Sequence, residues 1–169
     1  MHRPDNGKLM LGIVIGLAAG LAIATIWPHE QAQAAATDRD AQFAMTTCQV
    51  NAVDGSEAIF VLDFLTGSLK GAALHRSGKF TNFYFRDLAS DFRINPKKEA
   101  HYCIVPGMAS VNTSGGALPA PSVLYIGELT TGRIICYAFA ATRDTGSIQA
   151  PTALLKVAEF PFREPEPAE

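Results

Sequence analysis

The chain opens with one long apolar run and continues with many short ones. Leu9 to Trp27 is a run of nineteen residues without a charged side chain. As a helix it would be about 28 Å long, close to the hydrocarbon thickness of a bilayer. From residue 43 onward, short apolar runs alternate with turns that contain glycine, a pattern typical of all-β domains. The pattern therefore predicts a transmembrane helix over 9–27 followed by a mainly β domain.

The flanking charges predict how this segment is oriented. Arg3 and Lys8 precede it, and the next Lys or Arg is Arg39. The positive-inside rule therefore places residues 1–8 in the cytoplasm and the β domain outside the inner (cytoplasmic) membrane. Two alternatives stay open. The segment is either an uncleaved signal anchor, which its length favours, or a signal peptide cleaved at an Ala-x-Ala pattern within 32–36, which would release the domain to the periplasm.

Composition divides the rest of the chain into three parts. Residues 28–42 are mostly Ala, Gln, Asp and Arg, which predicts a linker. Residues 163–169 form an acidic proline-rich tail that we expect to be disordered. Residues 43–162 between them suffice for one domain with a single core. The net charge is −2 and the basic residues are scattered, which excludes the electrostatic footprint of a nucleic-acid-binding protein.

Eight strands are predicted within the domain, near residues 43–50, 58–64, 68–74, 79–85, 100–105, 122–129, 132–140 and 153–162. A short helix is predicted over 86–92, because Leu88 and Phe92 are spaced i, i+4. The runs 59–62 and 134–139 are apolar at consecutive positions, which is typical of strands covered on both faces. We therefore expect these two strands in the middle of a sheet, with one face against a helix or another subunit.

An internal repeat is the second informative feature. Residues 58–67 align without gaps with residues 123–132, so that Asp63 falls on Glu128 and a Thr-Gly pair follows each of them. The glycine suits a turn that needs a positive φ, and the acidic side chain can accept hydrogen bonds from the local backbone. The alignment predicts a unit of about four strands used twice, with repeats near 43–85 and 100–162.

The repeated pattern of apolar strand, Asp or Glu, two residues, Thr-Gly and apolar strand resembles the blade signature of bacterial β-propeller repeats. Over roughly 57–92 and 120–140 the chain is also similar to small uncharacterised bacterial proteins with an N-terminal membrane segment and an FVLD…TGxLKGA…GKF core. That resemblance implies no activity. Two blades cannot close a ring that typically needs four to eight. We therefore expect two blade-like antiparallel repeats in one sandwich-like or open-sheet domain; the alternative is a ring to which several chains contribute.

Candidate catalytic and metal-binding residues are few. Asp63 and Glu128 form the tempting carboxylate pair, but their equivalent places beside turns already account for them. His75 and His101 lack the spacing of metal ligands. The Ser114-Gly-Gly116 loop has no Lys-Ser/Thr for a phosphate site, and the sequence has no Gly-x-Ser-x-Gly elbow. We expect no catalytic residue, no metal site and no cofactor.

Three cysteines leave at least one thiol unpaired: Cys48, Cys103 and Cys136. All three lie in predicted strands, and Cys103 and Cys136 have apolar neighbours, so we expect buried free thiols. If a disulfide forms, the strands that lead the two repeats make Cys48–Cys103 the pairing to expect. The sequence leaves that question open.

Aromatic residues supply the functional hypothesis. Residues 80–85 contain four of them, and Phe160 and Phe162 end the last strand. In a strand, Phe83 and Phe85 share one face and Tyr84 takes the other, so one face can pack in the core and the other can bind a partner. The alternative is that these aromatic residues serve core packing alone. We predict a membrane-anchored extracytoplasmic β domain that acts as a protein-interaction or accessory subunit, without catalysis, bound to a protein partner or to copies of itself. The alternative is an exported small-ligand or cofactor-binding domain with a pocket between the two repeats.

Overall fold

The computed structural model describes residues 10, 12–18, 20, 37–95, 98–111, 118–142 and 145–163. The chain forms two compact units, Met1–Ala34 and Ala35–Glu169. In the first unit, residues 12–18 are helical and exposed. No helix within the described residues has the length and apolar character needed to cross a membrane, so the structure does not support the predicted transmembrane helix over 9–27. The remainder of that range lies outside the described residues, as do the predicted cytoplasmic N-terminus, most of the linker and most of the acidic tail.

The described part of the second unit contains strands and one short helix. They are β1 (Thr37–Arg39), β2 (Phe43–Gln49), β3 (Glu57–Asp63), β4 (Ser68–Leu74), β5 (Phe80–Asp87), α1 (Leu88–Phe92), β6 (Tyr102–Met108), β7 (Pro119–Glu128), β8 (Arg133–Ala140), β9 (Thr152–Ala153) and β10 (Leu155–Pro161). The strands form a six-stranded sheet in the order β1-β2-β3-β4-β5-β9 and a four-stranded sheet in the order β10-β8-β7-β6. All pairs are antiparallel except β5 with β9. The predicted mainly β fold is confirmed, with two antiparallel-rich sheets.

The short strand β1 was not indicated by the hydrophobic pattern. β1 lies within the range predicted to be a linker, and it contains no apolar residue. It is held by backbone pairing with β2 and by a 2.9 Å hydrogen bond between the hydroxyls of Thr37 and Thr46. The guanidinium of Arg39 also donates a 3.0 Å bond to the carbonyl oxygen of Tyr102. The strand therefore depends on polar contacts that a search for apolar runs does not detect.

The helix α1 is shorter than predicted, because its first two expected residues belong to β5. The side chain of Asp87 caps the N-terminus and accepts a bond from the amide of Ser90. Arg93 ends the helix in a left-handed conformation with φ of 55°. Leu88 and Phe92 are both buried, as their i, i+4 spacing indicates.

One core lies between the two sheets. Phe60 of β3 and Tyr84 of β5 meet Phe139 of β8, with ring centroids 4.9 Å and 5.5 Å from that of Phe139. Phe92 of α1 contacts Tyr102 of β6 at 6.0 Å, edge to face. These aromatic contacts join both sheets and the helix, so the second unit is stabilised largely by apolar burial between the sheets.

A polar cluster ties the same three elements together at one side of the core. Arg86 of β5 binds the carboxylate of Asp91 of α1 through two nitrogens, at 2.6 Å and 2.7 Å. The hydroxyl of Tyr137 of β8 donates to the same carboxylate at 2.8 Å. Partial burial would raise the pKa of Asp91, but these hydrogen bonds outweigh it and hold that pKa below its usual value. The cluster therefore links the two sheets and α1 through hydrogen bonds.

The two repeated hairpins turn opposite faces toward the core. In β3 the inward side chains are Ala58, Phe60 and Leu62, and all are buried. In β7 the inward side chains are Leu124, Ile126 and Glu128. The repeat places Phe60 on Tyr125, and Tyr125 faces outward. Equivalent positions in the two hairpins therefore lie on opposite sides of their sheets.

Candidate functional site

The carboxylate of Asp63 holds the turn between β3 and β4. It accepts bonds from the amide of Leu65 at 2.9 Å and from the hydroxyl of Thr66 at 2.9 Å. These hydrogen bonds lower the pKa of Asp63, and the bond from the Thr66 hydroxyl has the largest effect. Gly67 follows with φ of 65°, a conformation that glycine adopts without strain. The side chain is solvent-exposed and wholly engaged with its own turn.

Glu128 likewise accepts hydrogen bonds from the turn between β7 and β8, but its side chain is buried. The amides of His101 and Thr130 each donate to one carboxylate oxygen at 3.1 Å, and the amide of Thr131 donates to the other at 2.7 Å. Burial would raise the pKa of Glu128, but the three backbone donors outweigh burial and lower that pKa. The geometry thus accounts for both repeat carboxylates as turn-holding groups.

The two histidines make local hydrogen bonds, His75 through its ring and His101 through its backbone amide. His75 Nδ1 accepts a 3.1 Å bond from the amide of Ser77 in the turn after β4. His101 is exposed and contributes its backbone amide to Glu128. Within the described ranges, no group of three His, Cys, Asp or Glu side chains is placed to hold a metal ion. The Ser114-Gly-Gly116 loop lies outside the described residues.

All three cysteines are free thiols in the structure, but only one is buried as predicted. Cys48 lies in the core, where burial first and the charge of Glu57 second raise its pKa to about 12. Cys136 is half-buried and Cys103 is exposed, which corrects the expectation of three buried thiols. Both belong to strands of the four-stranded sheet and lie on its outer side, because their strand neighbours face the core.

The aromatic segment divides as predicted. Tyr84 is buried and donates from its hydroxyl to the carbonyl oxygen of Ala140 at 3.0 Å, while Phe83 and Phe85 lie on the outer face of the six-stranded sheet. That face also carries charged side chains in register with the aromatic ones. Lys70 is paired with Phe85, and the charged residues Asp63 and Asp87 each pair with the same serine of β4. The aromatic groups here are therefore interspersed with charge.

The outer face of the four-stranded sheet is different, because none of its described strand residues is charged. We call it the apolar sheet face; its members are Cys103, Val105, Gly107, Val123, Tyr125, Gly127, Ile134, Cys136, Ala138, Leu155, Ala158 and Phe160. Val105 and Phe160 are each 54% exposed and Tyr125 is 39% exposed. Val123, Gly127 and Ala138 of this face are buried, and the exposed members around them are apolar. Exposed apolar patches on monomeric proteins can mark interaction sites.

Two glycines of this face lie under side chains from the neighbouring strand. A Cβ atom on Gly107 would lie 2.6 Å from the ring of Tyr125, so that ring lies across the backbone of β6. A Cβ atom on Gly127 would lie 2.7 Å from the Sγ of Cys103, so the thiol likewise lies over β7. The Tyr125 ring and the Cys103 thiol therefore both lie along the surface of the sheet.

The sequence indicated only part of this surface. It singled out Phe160, and it noted that the run 134–139 is apolar on both sides and needs a cover on each. It did not single out Val105 or Tyr125. The repeat makes Tyr125 equivalent to the buried Phe60. It would have indicated Tyr125 as a surface residue once the opposite orientation of the two hairpins was known.

A cavity of about 510 Å³ lies between β5 and the segment after β8. Asn82, Ala140, Thr142 and Gln149 contribute to its wall, so both sheets border it. None of its described lining residues is charged. The cavity lies where the alternative prediction expects a small-ligand pocket, between the two repeats.

No protein-family model, no curated protein and no solved structure matches this chain. The resemblance to propeller-blade repeats and to small bacterial membrane proteins accordingly stays a prediction.

Proposed function

We propose that the second unit is a protein-interaction or accessory domain, held outside the membrane by the apolar segment over 9–27, and that it binds its partner through the apolar sheet face. The partner chemistry that fits is a flat apolar protein surface, since the face offers neither charge nor a deep cleft. Tethering would raise the effective concentration of the domain for a partner in the same membrane. No catalytic step is assigned to it.

One observation carries the proposal: a sheet face with Val105, Tyr125 and Phe160 exposed and no charged side chain among its described strand residues. Burying such a face removes apolar area from water without stranding a charge. The opposite sheet provides the contrast, because Lys70 lies next to Phe85 there and would have to be desolvated. The four-stranded sheet is therefore the better docking surface.

The test is affinity purification of full-length, C-terminally tagged protein from its native membranes in mild detergent, with quantitative mass spectrometry. We compare the wild type with Tyr125→Lys on the apolar sheet face and with Phe85→Lys on the other sheet as a matched control. A stoichiometric partner that is lost only with Tyr125→Lys supports the proposal. The mass of the bait shows at the same time whether the segment over 9–27 is retained.

Two results would contradict the proposal. If no partner is recovered in stoichiometric amount, the domain does not act as a stable accessory subunit. If Phe85→Lys removes the partner as completely as Tyr125→Lys, the docking surface is elsewhere. A bait mass that begins beyond residue 32 would contradict the tether alone, because the docking surface does not depend on it.

A further inference from the structure

The strand β10 is an open edge of the four-stranded sheet. It pairs with β8 on one side, and none of the described strands pairs with its other side. The opposite edge, β6, packs near β1 and β2 of the other sheet. All residues of β10 except Lys156 are exposed, including Leu155, Val157 and Phe160. Apart from Lys156 and Glu159 this seven-residue edge is apolar, and the unpaired backbone groups of an edge strand are a template for another strand.

We propose that β10 pairs antiparallel with β10 of a second copy of this chain, so that the two four-stranded sheets join into one sheet of eight strands. A two-fold axis perpendicular to the sheet, passing between Val157 and Ala158, generates the register. It places Leu155 opposite Phe160 of the partner subunit and Lys156 opposite Glu159 of the partner subunit. This inference concerns an edge of the sheet and does not depend on the partner of the apolar sheet face.

Charge complementarity is the reason to name a second copy as the occupant. In the proposed register the dimer contains two Lys–Glu pairs, one on either side of the axis, and each apolar residue from 155 to 160 meets one apolar residue of the partner subunit. Opposite charges directly across an antiparallel pair are stabilising, and like charges are destabilising. A two-fold axis pairs a strand with an identical strand. Residues at equal distances on either side of the axis must therefore be complementary to each other. Lys156 and Glu159 satisfy that requirement.

A β-bulge makes this register consistent with the faces of the sheet. Residues three apart normally lie on opposite faces of a strand. The pairing of β10 with β8 shifts between Lys156 and Ala158, which leaves Val157 as the extra residue. Lys156 and Glu159 consequently share the inner face, where they form an ion pair with each other. A perpendicular two-fold axis keeps faces unchanged, so these two groups also meet across the axis.

The association has a structural consequence for the rest of the domain. Ala158 and Phe160 of β10 belong to the apolar sheet face. Joining two copies at this edge would place the two apolar sheet faces side by side on the same surface of one continuous sheet. The dimer would thus present a docking surface of twice the width.

The test uses two charge-reversal variants of the full-length chain in mild detergent, Lys156→Glu and Glu159→Lys. Self-association is measured by energy transfer between donor- and acceptor-labelled C-terminal tags over a concentration series. Each variant alone places like charges across both symmetric positions, so we expect its dimer to dissociate at a concentration at least about tenfold higher than the wild type. Mixing the two variants restores opposite charges at both positions, and the mixed dimer should form at wild-type concentrations.

Controls separate this result from loss of the fold and from the proposed function. Circular dichroism melting checks that both variants are folded, because Glu159 also binds Arg133 within one chain. Lys70→Glu, on the other sheet, should leave self-association unchanged. Tyr125→Lys should also leave it unchanged while removing the partner of the apolar sheet face.

Two outcomes would overturn the inference. If the wild type stays monomeric at every concentration, the edge is not paired with a second copy, and a strand from a different protein becomes the alternative occupant. If the mixture of variants associates no better than either variant alone, the chain associates through another surface.

Discussion

The turns after β3 and β7 share a sequence signature but differ in burial. Asp63 and Glu128 occupy the same position of the repeat, and each carboxylate accepts hydrogen bonds from the turn that follows it. Asp63 nevertheless faces solvent, whereas Glu128 is fully buried. The difference arises because the two hairpins turn opposite faces toward the core. A repeat thus specifies the turn and its hydrogen bonds, while the placement of the sheets decides what each bond contributes to stability.

The same inversion separates the apolar positions. Phe60 is buried against Gly71, where a Cβ atom would lie 2.5 Å from the Phe60 ring. Tyr125, its equivalent, lies flat over Gly107 on the apolar sheet face. Phe60 is therefore part of the core in one hairpin, whereas Tyr125 lies at the surface in the other, where a partner could contact it. The comparison can be tested position by position.

The largest effect is expected at the apolar position. Phe60→Ala should lower the free energy of unfolding by about 4 kcal/mol, because it removes a buried aromatic ring and leaves a cavity. Tyr125→Ala should lower it by less than about 1 kcal/mol in the isolated protein, because that ring is partly exposed. Urea denaturation of both variants measures the difference. Equal losses would show that the two hairpins do not differ in orientation as described.

The second effect concerns the carboxylates. Glu128→Ala removes the acceptor of three backbone amides, and each buried donor left without a partner costs roughly 1–3 kcal/mol. We therefore expect a loss of at least about 3 kcal/mol, and a smaller loss for Glu128→Gln, which keeps one acceptor oxygen. Asp63→Ala should have a much smaller effect, because water can replace the exposed carboxylate. A ranking in the opposite order, measured by the same denaturation, would contradict the comparison.

The elements of the fold were largely predictable from the sequence, since they follow local patterns. The strand expected over 68–74 has those bounds in the structure, and the spacing of Leu88 and Phe92 correctly indicated a helix. β1 was not predicted, and β9 and β10 were predicted as one strand over 153–162, because β1 and β9 are two or three residues long and their pairing is set by neighbours distant in sequence. Periodicity detects an apolar face only where a strand has enough residues to show one.

The orientation of the hairpins could not be predicted, and this limited the prediction of the candidate site. A strand that is apolar at consecutive positions has two faces suited to the core, and its sequence does not say which one is used. Ile134 and Ile135 illustrate this: both are apolar neighbours in β8, yet Ile135 belongs to the core and Ile134 to the apolar sheet face. The choice depends on how the second sheet packs, which is a long-range property.

A dependence on pH should sharpen the comparison of the two carboxylates. The folded-state pKa of Glu128 lies below its ordinary value of 4.5, so its charged form stabilises the fold above that pH, and the contribution is lost as the pH falls. The melting temperature of the wild type should exceed that of Glu128→Gln by a constant amount above pH 4.5, and the gap should narrow below it. Asp63→Asn should show a much smaller gap, because solvent screens the exposed group. A gap for Glu128→Gln that widens as the pH falls would contradict the assignment.

The smallest effect is expected at Tyr102, which links the two turns. It pairs with Glu128 across the strands, and its hydroxyl lies 2.9 Å from where a Cβ atom of Gly67 would be. That hydroxyl is buried, and within the described residues it has no hydrogen-bond partner. Tyr102→Phe should therefore leave the free energy of unfolding unchanged or raise it slightly, since it removes an unsatisfied polar group.

The matched control for this variant is Tyr84→Phe. Tyr84 is also buried, but its hydroxyl donates to Ala140, so that variant leaves a carbonyl oxygen without its donor and should lose about 1 kcal/mol. Comparing the two by urea denaturation separates the packing of a phenol ring from its hydrogen bond. A loss at Tyr102 as large as that at Tyr84 would mean that the Tyr102 hydroxyl has a partner in solution. The contact between the two turns would then be polar, and the cost of Glu128→Ala would include a contribution from Tyr102.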